Sequence, residues 1–312
     1  MNPKLKIAFF FFDLILPMGF GYALAHSGRV KREFFDRMIL VGIVALGTPL
    51  ALMSCWNVQP DWNVIRLPLL GVVMLAAPGF AGLLRAGSKF DHALERGSYL
   101  LSSILANRGA VGSLTVYILY QEEGYAYYRL VVLLAPVVVY CFCFPVAGYF
   151  HAAGTGRESG RPSLRSLVLN VRQIPALGVI AGLVLAFSRV PRPEALGQVF
   201  HVAFHPTVWV FVIPVGASLH LGRMTGYLGR AAELLPLKFL VAPLATAAAA
   251  WAVGLEGRAF VSVVILAASP TAISAVTTSR LFKLNVDVAM AGLILTTGVY
   301  LAVAIPLLLF LM

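Results

Sequence analysis

Two short polar stretches, Ala106-Asn107-Arg108-Gly109-Ala110-Val111 and Ala268-Ser269-Pro270-Thr271-Ala272-Ile273, interrupt apolar runs long enough to cross a bilayer. An unpartnered backbone amide in hydrocarbon is costly, so a helix breaks at membrane depth only where protein or a water-filled cavity surrounds the break. Paired breaks at matching places in two halves of a chain point to a transporter's binding site. The chain can host them because 60% of its 312 residues are hydrophobic and 12% are charged, against roughly a quarter charged in soluble proteins. It reads as a polytopic membrane protein.

A spanning helix needs about 20 mainly apolar residues. That length gives ten candidates, at 7–25, 36–56, 66–86, 98–120, 128–150, 167–188, 197–220, 234–254, 259–280 and 287–311. The fold class expected is therefore all-α, with breaks in the fourth and ninth segments. Met1 to Lys6 leads straight into a full-length span, so no cleavable signal peptide is expected. The net charge of +11 sits in the loops, where it sets orientation and meets anionic lipid rather than nucleic acid. Loops after the odd-numbered segments hold fifteen Lys and Arg; the other side holds seven, namely Lys4, Lys6, Arg66, Arg129, Arg189, Arg192 and Arg258. The richer side is expected in the cytoplasm, with both termini outside.

The Gly- and Ser-rich loop 151–166 separates two five-helix halves, 1–150 and 167–312. Pro17 to Leu24 in the first segment matches Pro175 to Leu183 in the sixth, and Gly47-Thr48-Pro49 matches His205-Pro206-Thr207. An odd number of helices per half inverts the second copy relative to the first, the usual alternating-access plan.

Several stretches have the order and spacing of a known family. They are Leu16-Pro-Met-Gly-Phe-Gly-Tyr-Ala-Leu-Ala-His-Ser-Gly with a basic loop after it, Asn107 with Gly109 and Gly112, and Pro175 with Gly178 and Gly182. Val190-Pro-Arg-Pro-Glu-Ala-Leu, Pro214-Val-Gly-Ala-Ser-Leu, Leu237-Lys238 with Pro243, and Ser269-Pro270-Thr-Ala complete the set. Together they resemble the auxin efflux carrier family of prokaryotes, kin to plant auxin exporters, nearly end to end. The resemblance implies ten helices in a crossover fold like that of bile-acid/sodium symporters, in a bacterial cytoplasmic membrane. It also implies organic anions as substrates, a scaffold (helices 1, 2, 6 and 7), and a transport domain (helices 3–5 and 8–10) that moves as an elevator. The chain departs from the family pattern at Arg108, where a small or neutral polar residue is expected.

The residues at the breaks carry the chemistry. Arg108 at bilayer mid-depth is a functional hypothesis by default, since a guanidinium there costs about 2.5–3.5 kcal/mol unless paired. Its planar fork suits a carboxylate, and the alternative is permanent pairing with an internal group. Asn107 can bind a carboxylate or cap the half-helix. Ser269, Pro270 and Thr271 open the second half of segment nine, where free amides and the helix dipole attract anions. Lys238 either lines the cavity or snorkels to the interface.

Asp13 among Phe9–Phe12 and Leu14–Leu16 is either a proton carrier or an Arg partner, or else a residue hydrated near the outer surface, and His205 is a separate candidate for proton coupling. His201 and His205 share a helix face, but no third ligand accompanies them, so no metal is expected, and no cofactor. Cys55, Cys141 and Cys143 all fall in apolar segments and read as packing thiols. Gly178 and Gly182 form a small-xxx-small pattern serving core packing or a homodimer seam. Asn285 and Asp287 cap segment ten.

The function expected is a secondary transporter of a small organic anion, such as a carboxylate. A sodium-coupled bile-acid-type symporter and a non-transporting sensor of the same fold are the alternatives. No paired aspartates, Ser/His set or nucleotide-binding loop supports an enzyme or an ATP-driven pump.

Overall fold

The computed structural model describes residues 11–28, 30–156, 174–218 and 223–310. They are helical, with no strand among the described residues. In order the helices are α1 (Leu16–His26), α2 (Arg32–Val41), α3 (Thr48–Trp56), α4 (Asn63–Lys89), α5 (Ala93–Ile104), α6 (Ser113–Val131), α7 (Ala135–Val138) and α8 (Phe144–Thr155). The second half continues with α9 (Ile174–Phe187), α10 (Ala195–Ala217), α11 (Leu228–Ala231), α12 (Leu234–Pro236) and α13 (Ala242–Ala252). It ends with α14 (Gly257–Ala267), α15 (Ile273–Leu281), α16 (Val286–Val299) and α17 (Ile305–Phe310).

Among the described residues six helical runs are long and apolar enough to cross a membrane: Glu33–Trp56, Asn63–Lys89, Arg108–Thr155, Ala195–Ala217, Leu234–Ala252 and Val286–Leu308. Large apolar side chains on their outer faces, such as Trp251 and Val202, are exposed as lipid contact requires. The remaining expected spans are shorter or broken. Residues 7–10 of the first and 167–173 of the sixth lie outside the described residues, and α14 and α15 are separated by the expected break.

Two boundaries differ from the sequence reading. The chain turns between the expected fourth and fifth spans at Gln121, which takes a positive φ of 55°, so the next helix begins about two turns earlier than the polar run Gln121-Glu122-Glu123 suggested. Gly124 makes this turn possible: a Cβ there would lie 2.2 Å from the Val116 carbonyl. At the other end α8 runs on to Thr155 and stops at Gly156, which is left-handed (φ 67°). Residues 151–155 of the expected linker are therefore helix, while 157–166 lie outside the described residues.

Helix pairs close on glycine. In α1, Gly21 sits where a Cβ would be 1.9 Å from the Ile213 carbonyl, and Gly216 of α10 meets the Met18 carbonyl reciprocally at 1.9 Å. Gly178 and Gly182 do the same for α9 against the Thr48 and Leu52 carbonyls of α3. Backbones this close gain dispersion contacts that a side chain would prevent. The Gly178/Gly182 pattern is thus spent inside the subunit. α4, α5, α8, α13, α14 and α16 pack among themselves as a second group.

Loop contacts fix how the segments alternate. Trp56 donates to the Val190 carbonyl, Arg66 to the Gly254 carbonyl, Arg192 pairs with Glu122 and Arg258 with Glu123. These connectors share one face. On the opposite face Glu95 accepts from Tyr227, Arg230 and Asn285, and Asn285 caps α16 through the Asp287 and Val288 amides as expected. The latter face carries the richer set of basic loops.

Candidate functional site

The two broken segments meet. Ala106 and Thr271 form an isolated antiparallel bridge, in which the Asn107 amide donates to the Pro270 carbonyl at 2.7 Å and the Ala272 amide to the Leu105 carbonyl at 3.1 Å. Each break thus satisfies the other's backbone, which is how an unwound stretch survives at this depth. α5 reaches the crossing from the basic face and α14 from the opposite one. Gly112 sets the approach: a Cβ there would lie 2.6 Å from Ser269 Oγ.

Beside the crossing lies a cavity of about 320 Å³. One wall is the first crossover and its continuation, with Asn107, Gly109, Ala110, Ser113, Tyr125, Tyr128 and Arg129; Ile273 comes from the second. The other wall is α2, the helical stretch 42–47 after it, α9 and α10, including Ile39, Gly47, Val179, Phe204, Thr207 and Phe211. Apolar walls with a few convergent polar groups are the usual form of a small-molecule site.

Two polar residues of this lining keep unused donors. Asn107 caps the second half-helix, its Oδ1 accepting from the Ala110 amide at 3.3 Å, and its buried Nδ2 has no hydrogen-bond partner. Arg129, 8% exposed, donates from Nη2 to the Gly47 carbonyl at 3.4 Å and lies 5.9 and 5.7 Å from the ring centroids of Tyr125 and Tyr128. Its Nε is buried without a hydrogen-bond partner. Leaving such donors dry costs about 1–3 kcal/mol each, so the arrangement fits an acceptor-bearing guest.

A family model described as membrane transport protein matches residues 10–311. The chain belongs to that family, the auxin efflux carriers. No curated protein matches it. It is an integral, multi-pass membrane transport protein.

In this auxin efflux carrier family protein the expected site residues divide. Asn107 alone among them lines the cavity. Arg108, 5% exposed, points away from it and donates to the Met74 carbonyl at 3.0 Å. That carbonyl is free because the residue four positions on is Pro78, inside α4 and lacking an N–H. Lys238, 1% exposed, neither snorkels to the face nor lines the cavity; its Nζ donates to the Ser103 and Leu105 carbonyls at 2.7 and 3.0 Å. Ser269, Pro270 and Thr271 are all buried in the crossing, where the Thr271 amide donates to Thr296 Oγ1 and the Thr271 hydroxyl donates to the Ser102 carbonyl.

Asp13 and His205 are brought together at 2.6 Å, away from this cavity, with Trp209 Nε1 donating to the second Asp13 oxygen at 3.2 Å. Asp13 is fully buried rather than hydrated at a surface. His201 bonds the Tyr117 hydroxyl at 2.8 Å, and no cluster of three metal-ligating side chains occurs among the described residues.

Sequence reasoning missed Arg129. By sequence its place after the polar run Gln121-Glu122-Glu123 puts it with the outer loop, whereas the early start of that helix carries it inward to the cavity. The available signal was its setting, Tyr125-Ala-Tyr-Tyr-Arg129-Leu-Val-Val, a cation flanked by aromatics and followed by an apolar run. For Arg108 the geometry gives a separate expectation. Arg108→Met reopens the Met74 carbonyl and should cost about 1–3 kcal/mol of stability, read as a lower melting temperature in detergent.

Proposed function

We propose that this protein is a secondary transporter of a small organic anion, a carboxylate, bound in the cavity beside the crossing. The observation that carries this reading is charge. Arg129, Arg108 and Lys238 are buried in or beside the crossover region, and no carboxylate pairs with any of them among the described residues. The half-helix N-termini at Asn107 and Ala272 add positive partial charge nearby. An anion offers the missing counter-charge, with Arg129 and the Asn107 amide as its direct donors and the aromatic wall for its carbon body.

Transport then proceeds by alternating access, as the crossover-bearing group moves past the scaffold formed by the glycine-locked pairs α1 with α10 and α3 with α9. The ten-helix, inverted-repeat plan accounts for the antiparallel crossing and for the alternation of the connectors. A second cavity of about 170 Å³ shares Ile39 and Ile273 with the first and reaches Ser218 and Arg280 toward the basic face. With that face in the cytoplasm of a bacterial cell and the termini outside, the structure is inward-facing.

The test is uptake into proteoliposomes of a panel of labelled mono- and dicarboxylates against matched amines and neutral amides. Saturable flux of a carboxylate is expected. Asn107→Ala should raise its KM about tenfold, the worth of one hydrogen bond to a charged group. Flux confined to cations or neutral solutes would overturn the reading.

A further inference from the structure

Lys238 combines complete burial, a backbone-only coordination shell and no acidic partner. Its Nζ holds the Ser103 and Leu105 carbonyls at the C-terminal end of α5. Inside an unbroken helix the Ser103 carbonyl would accept from the Asn107 amide, but that amide is taken by Pro270 across the crossing. The break therefore leaves carbonyl oxygens at the negative end of a half-helix dipole, an arrangement that attracts cations. Carbonyls at such half-helix ends are where transporters hold a coupling sodium ion or proton.

We propose that the Lys238 ammonium is a resident cation occupying that carbonyl site, so that transport by this protein needs no sodium. The proposal rests on the anion-transport reading and takes sodium coupling out of it. The ammonium gives the oxygens the positive charge an alkali ion would give, from a tether that cannot dissociate. Lys238 and α5 both pack on α4, so cation and carbonyls belong to one packed group. The site therefore releases nothing in a cycle and draws on no ion gradient.

The experiment compares melting temperatures of the full-length wild type and Lys238→Ala in detergent. Sodium, ammonium and tetramethylammonium chloride are used at equal ionic strength. Wild type should melt at one temperature in all three. Lys238→Ala should melt lower in tetramethylammonium, which is too large for the vacated site, and gain about 5 °C or more in ammonium or sodium with a saturable dose response. Should the variant be recoverable only when purified in ammonium or sodium, that also supports the proposal, provided Lys238→Arg has no such requirement. A saturable rise of the wild-type melting temperature with sodium would overturn it, as would a Lys238→Ala protein indifferent to the three salts. Melting needs no substrate, so either failure leaves the anion-transport reading in place.

Discussion

Arg129→Ala is expected to abolish most carboxylate flux while leaving a folded protein. Truncating one partner of a buried, charged hydrogen-bonded pair costs about 2–5 kcal/mol. A loss near 3 kcal/mol is on the order of 100-fold in binding. In the wild type the guanidinium is held between two tyrosine rings and the Gly47 carbonyl, so its orientation is set before substrate arrives. Arg129→Lys keeps the charge but not the planar fork, and about a tenfold loss is expected. Uptake of labelled carboxylates, normalised to folded protein by size-exclusion chromatography, separates the two variants. If Arg129→Ala transports as wild type while Arg108→Met does not, the anion sits on the other side of the crossing and the cavity assigned to it is wrong.

The contrast between these two arginines shows how far sequence reaches. The breaks at 106–111 and 268–273 were legible because a bilayer tolerates so few ways of interrupting a helix, and their meeting followed from the matching offsets in the two halves. The direction of Arg108 was not legible. Its partner is a carbonyl in another helix, freed by Pro78, and only tertiary structure brings that carbonyl within reach. Lys238 was hidden for the same reason, because its acceptors lie more than 130 positions away. Arg129 was hidden by composition: a run of Gln, Glu and Gly reads as loop, whereas Arg192 and Arg258 pair with Glu122 and Glu123 and let a helix start there. By contrast Asp13 and His205 could be singled out, since a carboxylate in an apolar run demands a partner, and the structure supplies one from α10.

The ion pair Glu122–Arg192 carries the second large prediction. It joins the turn at Gln121 to the connector between α9 and α10, at 2.8 Å, with side chains only 11% and 12% exposed. The Tyr117–His201 hydrogen bond joins the same two groups nearby. Both contacts tie the first crossover's continuation to the α9–α10 group, away from the residues that line the second cavity. If the crossover group moves, both must break, and the charges then regain water. Removing one partner of a buried pair leaves the other uncompensated, at about 3–5 kcal/mol, and moving to the state in which that charge is hydrated relieves the cost. Glu122→Gln and Arg192→Gln should therefore each shift the population toward opening on the other face, by about 30-fold if 2 kcal/mol of the cost is relieved. The check is a single cysteine at Thr207, on the cavity wall, in a background lacking Cys55, Cys141 and Cys143, labelled by an impermeant thiol reagent from each side of oriented vesicles. Labelling from the face of Glu122 should rise in both variants, and the swapped pair Glu122→Arg with Arg192→Glu should restore part of the wild-type bias, the signature of a direct coupling. Unchanged labelling in both single variants would mean that this pair does not hold the gate.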